Sequence, residues 1–405
     1  MRIRGHHAFN WSAFRISCLF SVFLLMIPHG LSVRQVLASF EAATLETIIH
    51  HLRLRFATLR QESGFPGATI AFALPDGRTG ALAVGYADIE RKVLLRAGDR
   101  MFSGSTGKTF VSAIVMQLVD EQAFRLDDKL ELYLGEEKWF ERLPNAHSIT
   151  LRMLLNHSSG LSNHPELDKF ASDLSQNPDK VWKPEELISY VLDRPPLFAA
   201  GQGWAYSDTN YILTGMVIER VTHDSYYDQL NKRILRPYHF THTTPSDRRT
   251  LRDVVPGYPD PTLPFGTGRK VMENGKYAFN PQVEWTGGGV VSNSTDLARW
   301  TKLLYEGRLF SAGSLSQLLD GVATQDSDVR YGLGVFTYRS KGVVEYGHGG
   351  EMPGYNTTMM YWPKYKLAVA IQFNSDDPRV IVKPLREYAE EAERIIAHDF
   401  GLDAQ

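Results

Sequence analysis

Hydrophobic residues fall at helical spacing near both ends of the chain and at several places between. Phe40, Leu45, Ile48, Ile49, Leu52, Phe56 and Leu59 line one side of residues 40–62 and predict an amphipathic opening helix. Residues 380–397 repeat the pattern and predict a closing one. Beside each helix the pattern changes to apolar runs of strand length. Gly67 to Leu74 and Thr79 to Tyr86 flank Pro75-Asp76-Gly77, while Asn356 to Trp362 and Leu367 to Phe373 flank Pro363-Lys364-Tyr365-Lys366, so each end predicts a β-hairpin. The sequence between is mostly helical in pattern. From Thr109, the residues Phe110, Val111, Ala113, Ile114, Val115, Leu118 and Val119 are apolar on too many sides for a surface helix and predict a buried one. Ile149 to Leu155 opens a short helix, and Tyr211 to Thr222 reads as another apolar helix. Strand pairs at both ends with helices between them imply an α+β fold. One antiparallel β-sheet is flanked by helices, its halves lie at about 39–100 and 325–405, and a large, mainly helical insertion spans about 105–320. Between Val254 and Lys270 prolines and glycines are dense enough to predict a long loop, placed as one wall of a substrate cleft.

The first segment differs from the rest. Arg2 and Arg4 precede an apolar run from Ile16 to Met26, followed by Pro28, Gly30 and the small residues of Val36-Leu37-Ala38. Residues 1–38 therefore read as a secretory signal peptide cut after Ala38, which leaves residues 39–405 as the mature domain. The expected location is exported, periplasmic or extracellular. The run is too short to make a good membrane span, so no stable span is expected after cleavage. Cys18, the single cysteine, lies inside this segment, which excludes disulfides and cysteine-based zinc sites from the mature protein. Cleavage removes Arg2, Arg4, Arg15 and Arg34 and no acid, moving the net charge from −2 to −6. Nothing in that balance suggests a nucleic-acid partner.

Candidate chemistry centres on Ser105-Thr106-Gly107-Lys108, where a turn becomes the buried helix. Residues three apart share a helical face, so the Lys108 amine can take the proton of the Ser105 hydroxyl. Burial and the positive helix end both disfavour an ammonium there, which pushes Lys108 toward the neutral amine that a general base requires. Two similar motifs fail. A phosphate-binding loop needs glycine where Phe102 stands, and the Gly-x-Ser-x-Gly elbow needs glycine where Ser103 stands.

Of three Tyr-x-Asp phrases, at Tyr206, Tyr226 and Tyr258, only Tyr206-Ser207-Asp208 directly precedes an apolar helix, where Asp208 or Thr209 is expected to cap it. A phenol at Tyr206, close to the Ser-Lys pair, can relay protons. Near the C-terminus, His348-Gly349-Gly350-Glu351 lies on a strand with little side-chain bulk, where a substrate backbone can pair with the edge. The amides of Ser105 and Glu351 are then placed to bind a carbonyl oxygen, and His348 is expected to point into the cleft, sharing a proton or contacting an anion. His157 and His164 have no carboxylate at metal spacing, so neither a metal nor a cofactor is expected. Trp285 to Ser292 reads as a structural glycine turn leading into a capped helix, with cleft contact as the alternative.

The order Ser-x-x-Lys, then Tyr-Ser-Asp roughly a hundred residues on, then a His-x-Gly strand resembles the serine β-lactamase-like superfamily. The likeness is to its branch of class C β-lactamases, D-alanyl-D-alanine carboxypeptidases, D-aminopeptidases and esterases. Ile149 to Leu161 is similar to the recurring segment LLxHxSGL, and Gly287 to Trp300 to GGGxxSxxxDLARW. The resemblance implies Ser105 as acylated nucleophile, Lys108 as its base partner and Tyr206 as the second-motif tyrosine, with His348 as a further catalytic residue. It also implies substrate contacts from Asp208, Gly349, Gly350 and Glu351. Asp208 stands where asparagine is usual, and its charge favours the protonated form of Lys108, opposing the neutral amine and shifting the base role toward Tyr206. His348 and Gly349 replace a lysine and a hydroxyl residue, which weakens the hold on a substrate carboxylate. The implied activity is hydrolysis of a peptide, amide or ester through an acyl-enzyme, with D-amino-acid peptides first, including peptidoglycan-derived ones. The alternatives are an esterase, and a penicillin-binding sensor that acylates without turnover.

Overall fold

The computed structural model describes residues 33–262, 270–340 and 342–402. Residues 1–32, and with them most of the expected signal peptide, lie outside the described residues, as does the 263–269 part of the proline-rich loop. The opening helix α1, Val33–Ser63, begins earlier than its apolar pattern predicts and runs through Ala38. Among the described residues no helix is long and apolar enough to cross a membrane.

The sheet has nine strands: β1 Gly67–Ala73, β2 Thr79–Asp88, β3 Val93–Leu94, β4 Val322–Ala323, β5 Val329–Tyr331, β6 Phe336–Ser340, β7 Val343–Met352, β8 Tyr355–Trp362 and β9 Leu367–Phe373. Their spatial order is β3-β2-β1-β9-β8-β7-β6-β5-β4, with every neighbouring pair antiparallel. The two halves of the chain join where β1 meets β9, with Ile70 opposite Ile371 and Ala71 opposite Ala370. As the sequence predicts, the chain leaves the sheet and returns to it.

Alternation along β1 and β9 sorts large from small residues. Ile70, Phe72, Val369 and Ile371 face α1 and the closing helix, forming a core with Ile48, Leu52, Phe56, Tyr388 and Ile396. Ala71, Ala73, Ala368 and Ala370 face the insertion. The small residues let a helix lie close on that face, and Thr69 Oγ1 meets Ser294 Oγ at 2.5 Å. The helices used below are α2 Lys108–Asp120, α3 Leu151–Leu155, α4 Asp208–Thr222, α5 Ser294–Tyr305 and the closing α6, Leu385–Phe400. Helix α2 is buried along most of its length, and its Phe110 ring stacks on Trp300 of α5 at 4.1 Å. The insertion also holds small sheets that have no periodic signature: Met101–Phe102 and Thr244–Pro245 pair with Val290–Ser292, and Met272–Glu273 pairs with Lys276–Tyr277. Residues 254–262 form no helix or strand and attach through single bridges, Val254 to Arg100 and Tyr258 to Ser375.

Candidate active site

Ser105 sits on the 3-10 turn Gly104–Gly107 that runs straight into α2, so Lys108 is the first residue of the helix and lies one turn on from the serine. Lys108 Nζ donates to Ser105 Oγ at 3.0 Å and to the Gly287 carbonyl at 2.5 Å. It also forms an ion pair with Asp208. The lysine side chain is 0% exposed. Burial opposes its charge, but the Asp208 carboxylate and then the Tyr206 phenol outweigh burial and hold the amine above its usual value. The neutral Lys108 expected from burial alone is therefore corrected: the resting lysine is an ammonium.

Gly287 belongs to the glycine turn that reads from sequence as structural, and its carbonyl is a direct partner of Lys108. A close approach makes this possible. A Cβ on Gly107 would lie 2.6 Å from the Gly288 carbonyl oxygen, so only a glycine at position 107 lets the two backbones meet.

Tyr206 stands on the turn before α4. Its ring faces Lys108 Nζ at 4.9 Å and His157 at 4.2 Å. Burial pushes its phenol up to about 12, against the pull of Lys108. Neither Asp208 nor Thr209 caps α4 with its side chain. The cap position is Ser207, and its hydroxyl donates to Ser162 O at 2.9 Å instead. The Ser207 amide donates to His157 Nδ1, the Asp208 amide to Asn163 Oδ1, and Thr209 Oγ1 to Ser162 O. The segment after α3 thus straps the Tyr206–Asp208 turn in place. His157 holds the tyrosine ring from behind as a neutral imidazole, its pKa driven well down by burial first and then by the charge of Lys108.

Strand β7 forms the other wall. Strand β6 pairs with it only as far as Gly347, opposite Phe336, whereas β8 pairs with it through Met352. Residues 348–352 therefore leave one edge without a strand partner among the described residues. The serine turn packs here: a Cβ on Gly350 would lie 2.0 Å from Ser103 O and 3.0 Å from Ser105 N, and one on Gly104 would lie 2.5 Å from Glu351 N. The Ser103–Ser105 backbone thus lies directly against that of Gly350 and Glu351.

His348 is on this strand and near Tyr206, with ring centroids 6.4 Å apart, but it does not present an anion-contacting face. It is 2% exposed, Tyr331 OH donates to its Nε2 at 2.9 Å, and its Nδ1 donates to Gly349 O. Burial, the largest influence, drives its pKa down to about 3. The expected proton-sharing, anion-contacting imidazole is corrected to a neutral ring with both nitrogens satisfied. Tyr331 and His157 are site residues that the sequence pattern did not single out, and Gly287 takes the cleft contact that was the alternative reading of its turn. Among the described residues no group of His, Cys, Asp and Glu is arranged to hold a metal ion.

With this geometry established, the profile of the Beta-lactamase family matches residues 52–393. The chain belongs to that family. It is 24% identical over 343 residues to penicillin-binding protein 4* of Bacillus subtilis (strain 168), covering 81% of this chain and 72% of that one. To a D-aminopeptidase of Brucella anthropi it is 25% identical, covering 84% of this chain and 60% of the relative. A D-stereospecific amidohydrolase from Streptomyces sp. superposes with a TM-score of 0.67 at 27% identity, covering 84% of this chain and 97% of the other. D-amino acid amidase from Ochrobactrum anthropi SV3 gives 0.72 at 23% identity over 88% and 99% of the two chains. The protein is an enzyme, a serine hydrolase of the β-lactamase fold.

Proposed function

We propose that the protein is an exported amidohydrolase that cleaves amides or short peptides of D-amino acids through an acyl-enzyme on Ser105. The observation that carries this reading is the contact of Lys108 Nζ with Ser105 Oγ at 3.0 Å, on a turn packed against the unpaired edge of β7. A substrate backbone lying along residues 348–352 adds hydrogen bonds to that edge, with its carbonyl oxygen between the amides of Ser105 and Glu351. Ser105 Oγ attacks the carbonyl carbon while its proton passes to Tyr206, ionised and steadied by the Lys108 ammonium. Tyr206 then returns that proton to the departing nitrogen as the C–N bond breaks. Water attacks the ester by the same relay, releasing the acid and restoring the serine.

The departures from the family pattern favour a substrate with no free terminal carboxylate. His348 is neutral and occupied by Tyr331, and Gly349 has no hydroxyl, so the strand offers no cationic or hydroxyl side chain at these two positions to hold a carboxylate. The relatives named D-aminopeptidase and D-stereospecific amidohydrolase support the choice of D-configured amides and peptides as the substrate class. An ester of the same acyl group meets the same site, which makes esterase activity the second reading. Export rests on the pattern of residues 1–38 alone. A panel of a D-amino-acid amide, a D-Ala-D-Ala peptide, a short nitrophenyl ester and nitrocefin tests the reading: the amide should be turned over fastest. A penicillin adduct that never turns over, with no amide hydrolysis, would replace it with the sensor.

A further inference from the structure

Beside the Lys108–Asp208 pair lies a cavity of about 140 Å³. Its walls are apolar, from Phe170, Leu174, Ile212, Phe279, Val283 and Pro353, and two carboxylates, Asp208 and Glu284, also line it. The volume is too small for a whole substrate but comparable to cavities that take a benzene-sized group. The two carboxylates meet near Gly287. A side chain starting at Gly287 would find Asp208 Cγ and Glu284 Oε2 each 3.7 Å from its Cβ, so the glycine leaves the space between them open.

The charges do not balance within the cavity. Asp208 is paired with Lys108. The charged groups that act on Glu284 are Asp208, which repels it, and Lys108, which is already engaged. His164, which also lines the cavity, is neutral, because burial pushes its pKa down to about 4. Glu284 is accordingly pushed up to about 7, first by burial and then by Asp208, against the pull of Lys108. A half-buried carboxylate without its own cation, in an apolar slot that shares Asp208 with the Lys108 pair, is a cation-accepting end on a hydrophobic sleeve.

We infer that this cavity is a specificity subsite that takes an ammonium group of the substrate on a short apolar stem, with Glu284 as its counter-ion. The inference rests on the amidohydrolase reading above and deepens it by naming the charge the substrate carries. Asp208 serves both sites: one side of it holds Lys108 and the other lines the sleeve. The ammonium is either the α-ammonium of the acyl residue or one at the end of its side chain, since both present the same chemistry to Glu284.

Three p-nitroanilides separate these sources: D-alanine with a free α-ammonium, Nα-acetyl-D-alanine with none, and Nα-acetyl-D-lysine with a side-chain ammonium. Wild-type enzyme should prefer one of the two cationic substrates over the neutral one. In Glu284→Gln, kcat/KM for that substrate relative to the neutral one should fall about tenfold or more, the scale of one buried charge-assisted hydrogen bond. A ratio unchanged by the substitution, or no preference in the wild type, overturns the inference. A structural role alone for Glu284 would lower both rates and leave the ratio intact. Fluorophosphonate labelling of Ser105 gives a readout independent of amide turnover. n-Butylammonium should slow labelling of the wild type more than 1-pentanol does, and Glu284→Gln should abolish the difference. Equal protection by the two overturns the subsite while leaving Ser105 in place, whereas failure of labelling itself counts against the reading of Ser105.

Discussion

Asp208 forms its ion pair with a lysine that has no contact with solvent, and that lysine also donates to the serine hydroxyl. The same carboxylate raises both groups able to take the Ser105 proton, since it favours the charged form of Lys108 and disfavours that of Tyr206. Asp208→Asn therefore lowers both. At rest the phenol, pushed up to about 12, is almost wholly protonated at neutral pH, so wild-type kcat/KM should climb with pH through the alkaline range. In Asp208→Asn that climb should move down by about one pH unit or more, the ordinary size of a neighbouring-charge effect. A pH–rate profile of both proteins checks this, and coincident profiles would show that Asp208 does not set the base.

The Gly349 carbonyl, which can only accept, keeps the ring proton of His348 on Nδ1 and leaves Nε2 to accept from Tyr331 OH. Tyr331→Phe leaves that acceptor buried without its donor and should cost about 1–3 kcal/mol of stability, read from urea unfolding. Because His348 stays enclosed, the variant should gain no activity toward substrates with a free carboxylate. Such a gain would return His348 to an anion-contacting role.

Glu284 supplies a pH dependence of folding whose sign follows from its raised pKa of about 7, against an ordinary value of 4.5. The folded state holds this proton more tightly than the unfolded chain does. Its stabilising contribution is complete below pH 4.5 and is lost as pH rises through 7. Asp208 and Lys108 are the charges that act on it, while His164 is neutral across this window and the nearby phenols of Tyr227 and Tyr277 remain protonated. Glu284→Gln should be more stable than wild type by about 1–3 kcal/mol at pH 8 and close to it at pH 4.5. Melting curves at the two pH values test this, and a variant that is less stable at pH 8 would refute it.

Gly350 keeps the serine turn against β7, since any Cβ there would lie 2.0 Å from Ser103 O. Gly350→Ala must push the two backbones apart and so separate the amides of Ser105 and Glu351. The expected result is a loss in kcat of about a hundredfold or more, the cost of a spoiled oxyanion contact, with a smaller change in KM. Wild-type kcat in a folded Gly350→Ala protein would remove the amide pair from the reaction.

The parts legible in the sequence are those fixed by local geometry. Ser105 and Lys108 are three residues apart, so one helical turn dictates their contact, and the terminal hairpins announce themselves through Pro75-Asp76-Gly77 and Pro363-Lys364. What escaped depends on distant pieces of chain meeting. The Gly287 carbonyl reaches Lys108 across 179 positions, and no periodicity encodes that. The pairing of Met101–Phe102 with Val291 and Ser292 is too short to show alternation. Asp208 and Thr209 looked like helix caps because their residue types suit that position. Their backbone and side-chain bonds go to Asn163 and Ser162 instead, a choice made by the tertiary fold. The charge of Lys108 was likewise set by which partner prevailed, burial or Asp208.

Mass spectrometry of the intact enzyme, quenched during turnover of a D-amino-acid amide and followed by peptide mapping, tests the central claim most directly. One acyl group per chain is expected, carried on the peptide that contains Ser105, disappearing as substrate is exhausted and absent from Ser105→Ala. An acyl group on any other residue, or amide hydrolysis that continues in Ser105→Ala, would contradict it.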